Sequence, residues 1–182
     1  LGLDDVWGYS VTLPLGEGTL RLDDIQLYNF VSEPNTRLLF DCDSSSLANF
    51  FPFSGAASTV ITSLATIEPT DTLSLPNQIA AEQVLSVSYD NADFAGFTHF
   101  IGSTPENWVG YTGVRFWFYG SGSQANFEFE VLTNRSDPSF DTSERFEMRF
   151  FDAEPGWKQI DLPYESAAKM TREQLELSLI HI

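Results

Sequence analysis

Glu128 and Glu130 stand two positions apart in the run Phe127-Glu128-Phe129-Glu130-Val131, where acids alternate with apolar residues as they do along a strand with one buried face. At that spacing two carboxylates lie about 6.6 Å apart on one strand face, a separation at which a carboxyl pair can share the acid and base roles of glycosidic-bond cleavage. Arg145, Arg149 and Lys158 offer ion-pair partners to the same acids, which accounts for the pattern with no chemistry in it. Nucleophilic catalysis has less to draw on. His99 is the one histidine before the last six residues, Cys42 is the one cysteine, and no serine stands in a nucleophile-elbow glycine pattern. Asp23 with Asp24, and Asp41 with Asp43, supply the hard oxygens that a calcium ion takes, and read equally as acidic turns in an acidic chain. No glycine-rich phosphate loop or His/Cys zinc cluster is present. Asn134-Arg135-Ser136 fits an N-glycosylation acceptor.

The bulk properties limit who the partners of these residues can be. Nine Lys and Arg against 26 Asp and Glu give a formal net charge of -17, so nucleic acid and anionic membrane surfaces are repelled while a neutral ligand is not. A hydrophobic fraction of 42%, with 16 Phe, 6 Tyr and 4 Trp, fills a real core, and 182 residues suit one compact domain or a domain plus a piece of another. A single cysteine excludes an internal disulfide framework. No stretch reaches the roughly 18 to 20 apolar residues that cross a bilayer, and because the chain opens on Leu1 the lack of a leader carries no information about export.

The elements that must position the candidates are strands. Trp7, Tyr9, Val11 and Leu13 alternate with Gly8, Ser10 and Thr12, and Pro14 to Gly18 then turn the chain into a second strand, Thr19 to Tyr28. Leu20 and Leu22 lie on one parity of that strand and Ile25 and Leu27 on the other, which predicts a bulge at Asp23-Asp24. Residues 30–37 are polar, contain Pro34 and read as a linker. From Leu38 onward about eight apolar runs recur between turn signals, as in a double-sheet jelly roll. Val114 to Tyr119 is apolar on both faces, as an inner strand is. Phe127-Phe129-Val131 and Phe146-Met148-Phe150 read as neighbouring strands trading Glu and Arg pairs across their polar face. Ser166 to Glu176 has helix-forming composition, and 177–182 (Leu-Ser-Leu-Ile-His-Ile) reads as translated sequencing adapter and is set aside.

Three stretches carry a family likeness: Gly113-Val114-Arg115-Phe116-Trp117-Phe118-Tyr119-Gly120; Phe150-Phe151-Asp152 with Gly156-Trp157-Lys158-Gln159-Ile160-Asp161-Leu162-Pro163-Tyr164; and Trp7-Gly8-Tyr9 with Leu22-Asp23-Asp24-Ile25. Together they resemble the family 11 carbohydrate-binding modules, galactose-binding-like jelly rolls appended to glycoside hydrolases. In such modules the Trp-Gly-Tyr and Leu-Asp-Asp-Ile strands come last, whereas here they come first. The resemblance therefore implies that 1–29 is the tail of one module, 30–37 a linker, and 38–176 the body of a second module without its own final strands. A sandwich missing those strands leaves an open edge, so the hairpin at the start of this chain is expected to fill it.

The same resemblance implies an all-β jelly-roll sandwich that binds β-glucan chains in a cleft, holds structural calcium, and is secreted with a glycoside hydrolase domain attached. A glucan is recognised by aromatic rings on the flat faces of its sugars and by polar groups on its hydroxyls. The cleft residues it implies are Phe94 and Phe97, in the stretch the family places beside the cleft, Trp108 and Tyr111 around the Gly110 turn, and Asp141 at the family's acidic position. Calcium falls to Asp23, Asp24, Asp41 and Asp43, which the likeness draws together from the closing and opening strands. One departure stands out: where the family has an Arg and Asp cluster after the Pro-Tyr strand, this chain has Lys169, Met170, Thr171 and Arg172. Two other functions are compatible with the fold, a structural or protein-binding spacer and a jelly-roll glycosidase using Glu128 and Glu130.

Overall fold

The computed structural model describes residues 2–29, 35–43, 46–133 and 144–169. In these the chain forms β1 (Val6–Thr12), β2 (Gly16–Tyr28), β3 (Arg37–Phe40), β4 (Phe50–Ser54), β5 (Thr59–Ile67), β6 (Glu82–Asn91), β7 (Ala95–Phe100), β8 (Gly113–Ser121), β9 (Asn126–Thr133), β10 (Glu144–Phe151), β11 (Pro155–Pro163) and β12 (Ala168–Lys169). One sheet runs β12-β10-β9-β1-β7-β4 and the other β11-β8-β2-β6-β5, with β3 continuing alongside β2. All pairings are antiparallel. This is the expected all-β jelly-roll sandwich, with short 3-10 turns at Leu47–Asn49 and Tyr164–Ser166. The helix-forming stretch opens as that second turn and β12, and the rest of it lies outside the described residues.

The alternation of the sequence becomes the two faces of each sheet. Tyr9 and Val11 of β1, Phe97 of β7, Phe127, Phe129 and Val131 of β9 and Phe146, Met148 and Phe150 of β10 point into the core. They meet Leu20, Leu22, Ile25 and Leu27 of β2, Leu85 and Val87 of β6 and Val114, Phe116 and Phe118 of β8 from the other sheet. Phe116 stacks on Phe129 across the sandwich at 5.7 Å between ring centres.

The first two strands occupy the middle of both sheets. β1 lies between β7 and β9, and β2 lies between β8 and both β6 and β3. They do not form a hairpin with each other: the chain crosses from one sheet to the other between Thr12 and Gly16, because each strand presents its apolar row to the same core from opposite sides. The bulge read from the parity change in β2 is present. Register against β8 shifts between Asp23 and Gln26, and Asp24 takes φ 48, a left-handed conformation that Asp tolerates better than most residues.

Val114 to Tyr119 is an inner strand for two reasons. Its even-numbered side chains enter the main core, while Trp117 on the far face is packed with Trp157 against Ile67, Leu75 and Val84. The segment after β5 folds over that face, and Trp157 Nε1 donates to Leu73 O at 2.7 Å.

Candidate functional site

Strand parity turns Gly8, Ser10 and Thr12 of β1 away from the core. The register places Phe100, Thr98 and Gly96 of β7 on one side of them, and Leu132, Glu130 and Glu128 of β9 on the other. β10 adds Arg145, Glu147 and Arg149 beyond β9, and β4 adds Phe51 and Phe53 beyond β7. The outward face of this sheet is thus graded: aromatic at one side, small and hydroxylic in the middle, charged at the other.

The middle is a floor. Ser10 and Thr98 are 2% and 4% exposed although they point away from the core, and their hydroxyls bond each other at 2.8 Å. Gly96 is part of the same floor. A Cβ there would come within 2.5 Å of Phe53 Cζ, so only glycine lets that ring lie against β7. Phe53 in turn stacks with Phe94 at 6.5 Å and an interplanar angle of 22°, and Phe51, half exposed, meets Phe100 edge-on at 5.5 Å.

The charged side is a network of carboxylates and guanidinium groups. Arg145 Nη1 donates to Glu130 Oε2 at 3.0 Å, and Thr12 Oγ1 donates to Glu130 Oε1 at 3.1 Å, so a carboxylate only 4% exposed has both oxygens occupied. Arg149 bridges Glu128 at 3.0 Å and Glu147 at 2.5 Å. Burial pushes the Glu128 carboxyl up, and the nearby Glu147 pushes it further, while Arg149 pulls it back. These are the Glu and Arg exchanges expected between the two strands. They leave Glu128 and Glu130 as members of one hydrogen-bonded array, each already bound to arginine.

The residues expected to touch sugar divide sharply. Phe94 lies partly exposed just before β7, on the aromatic side of the graded face. Phe97 is on the opposite parity and fully buried, packed on Phe50, so its ring cannot serve as a platform as the family likeness implied. Trp108 is corrected in the same way: it is fully buried, its indole Nε1 donating to Glu106 Oε2 at 3.3 Å and its backbone N–H to Leu3 O at 2.7 Å. Tyr111 is partly buried against the core below the Gly110 turn. Asp141 lies outside the described residues, as does the Asn134 acceptor. Phe51, Phe53, Phe100, Ser10 and Thr98 were not singled out from sequence. Phe51 and Phe53 carried a usable signal, since two aromatics at i and i+2 around an edge-strand proline share one face.

Of the four aspartates, Asp24 in the bulge is near enough to be repelled by Asp41 and Asp43, which follow β3, and Glu82 at the start of β6 is repelled by Asp43 and Asp24. Burial raises the Asp23 carboxyl to about 7, with Asp24 adding to it. Burial also raises Asp24, followed by repulsion from Asp41 and Asp43, and Glu82 is raised by burial and then by Asp43 and Asp24. Some oxygens are already engaged: Asp23 Oδ1 accepts from the Asp24 N–H at 2.9 Å and Asp43 Oδ1 from the Gln83 N–H at 2.6 Å. Among the described residues no three acids, histidines or cysteines are arranged to hold one metal ion.

Comparison with known proteins gives one match. Residues 53–176 fit a family described as Carbohydrate binding domain (family 11). No curated protein and no solved structure matches the chain. The matched span excludes β1, β2 and β3, so their place in the sheets is an observation of this structure alone.

Proposed function

The chain belongs to the family 11 carbohydrate-binding domains, and from that premise we propose that it binds β-glucan chains without cleaving them, on the outward face of the β12-β10-β9-β1-β7-β4 sheet. The observation that carries this is the grading of that face around the Ser10 and Thr98 floor. Phe51, Phe53 and Phe94 offer apolar ring faces to a sugar, and Glu128, Glu147 and Arg149 offer acceptors and donors to its hydroxyls. A neutral polysaccharide also suits a chain of net charge -17 better than any polyanion.

The domain serves an attached glycoside hydrolase in an extracellular setting, raising the concentration of enzyme at its substrate. Residues 1–29 are read as the closing strands of one such domain and 38–176 as the body of the next. The central positions of β1 and β2 support that reading. Calcium at Asp23, Asp24, Asp41 and Asp43 remains part of the proposal. An ion there would draw the four carboxylates closer than they stand, and its gain would be relief of their mutual repulsion.

Affinity electrophoresis in gels containing barley mixed-linkage glucan, xylan or no polysaccharide tests the assignment. Retardation by a glucan that is lost in Phe53→Ala supports it. Unretarded migration of folded protein in every gel points to a structural or protein-binding sandwich, and release of reducing sugar from the glucan restores the glycosidase reading of Glu128 and Glu130.

A further inference from the structure

Residues 44–67 contain no Asp, Glu, Lys, Arg or His, the longest charge-free run in a chain of net charge -17. The fold gathers residues 46–67 of this run on one side of the molecule. β4 is the last strand of one sheet, β5 is the last strand of the other, and the two lie against each other. One flank of the sandwich therefore consists of two neighbouring uncharged sheet edges.

Edge strands expose unpaired backbone N–H and C=O groups, and proteins commonly guard them with charge, proline or shortness. Among the described residues, the other three strands that end the two sheets are guarded. β12 is two residues long and carries Lys169, β11 has a proline at each end with Lys158 and Asp161 between them, and β4 has Pro52 at its centre. β5, Thr-Val-Ile-Thr-Ser-Leu-Ala-Thr-Ile, has none of these devices. It is nine residues long, rich in β-branched side chains, and pairs only with β6 among the described residues. Ile61 on its outward face is 66% exposed.

We infer that β5 is a self-association edge, at which a second copy of this chain adds its own β5 in antiparallel register to join two sandwiches through one continuous sheet. Charge selects the place, and the self-complementary sequence of the strand the occupant. Two copies of so acidic a protein repel each other over most of their surfaces, and the flank formed by 46–67 is where that repulsion is least. The strand also suits a two-fold axis. With Ser63 on the axis, Ile61 faces Ala65 of the other copy, Val60 faces Thr66 and Thr62 faces Leu64, so that no pair sets charge against charge.

Sedimentation velocity of the full chain from micromolar to millimolar concentration, at about 150 mM salt to screen residual repulsion, reads the equilibrium directly. The expected result is a monomer that becomes a dimer as concentration rises. Ile61→Lys is expected to abolish the dimer while leaving the far-UV spectrum and melting midpoint unchanged, since the side chain is exposed. Ser63→Cys, directly opposite its counterpart at the axis, is expected to give a disulfide-linked dimer on mild oxidation, which the wild type, with Cys42 buried, does not. Hydrogen exchange provides a reading free of any variant: the β5 amides that point away from β6 gain protection with concentration. A wild type that stays monomeric at millimolar concentration overturns the inference, as does a dimer that Ile61→Lys leaves intact.

Discussion

The hydroxyls of Ser10 and Thr98 lie 2.8 Å apart on the outward face of the first sheet, joining a strand near the start of the chain to one 88 positions later. The bond matters because it sits at the boundary between the aromatic and the charged halves of the face assigned to ligand. Replacing Thr98 by Val keeps the shape and removes the hydroxyl, leaving the Ser10 hydroxyl with one fewer partner. The expected cost is about 1 to 2 kcal/mol of stability, measured by urea denaturation.

Phenylalanines on adjacent strands should behave in opposite ways. Phe53→Ala removes a ring from the ligand side and is expected to weaken glucan binding about tenfold, near 1.4 kcal/mol, with little change in melting. Phe97→Ala empties a fully buried position and is expected to cost about 3 to 5 kcal/mol of folding free energy. Isothermal titration and thermal denaturation of both variants separate the two roles.

Acid should weaken the fold through His99. Its ring is held among Phe50, stacked at 4.4 Å, Tyr9 at 5.1 Å and Phe40 at 5.3 Å, and burial lowers its pKa from the model-compound 6.5 to about 4. Between those values the unfolded chain binds a proton that the folded chain refuses, so stability falls as pH drops from 6.5 toward 4. The loss approaches about 3 kcal/mol at the lower end. Denaturation curves of wild type and His99→Phe across this window should diverge, with the variant losing less on acidification.

Asp152 should be a strong structural point. Its carboxylate accepts from the backbone N–H groups and hydroxyls of both Ser121 and Ser123 and from Lys158 Nζ. Burial alone would raise its pKa, but the bonds from Ser123, Gly122 and Lys158 outweigh it and the net shift is downward. Asp152→Ala strips the turn between β8 and β9 of these partners and is expected to cost about 3 kcal/mol, read as a lower melting midpoint.

Calcium should raise that midpoint in wild type after treatment with chelator, by a few degrees at saturating ion, and Asp24→Asn should blunt the response. An equal response to magnesium would indicate general screening of the acidic cluster, not a site.

The fold was legible because its signal is periodic. Alternation along β1, β6, β9 and β10, the parity change at Asp23-Asp24 and the two-faced apolarity of β8 each report a local property that the sheets preserve. The site was less legible. Whether Phe94 or Phe97 faces a ligand depends on which side of β7 meets the core, and three residues of sequence do not say. Trp108 looked available beside a glycine turn, yet it is inserted under Leu3 and fully enclosed, a contact across more than a hundred positions. Phe51 and Phe53 escaped notice because their partners, Phe100, Gly96 and Phe94, come from another strand and its approach.

The central placement of β1 and β2 imposes an order of events on folding. β1 closes on residues 96–100 and 128–133, and β2 on residues 85–91 and 113–119, so neither sheet can be completed until chain far downstream is available. Contacts so distant in sequence charge their loop-closure entropy before they return any stabilisation, which places this sandwich among slow folders.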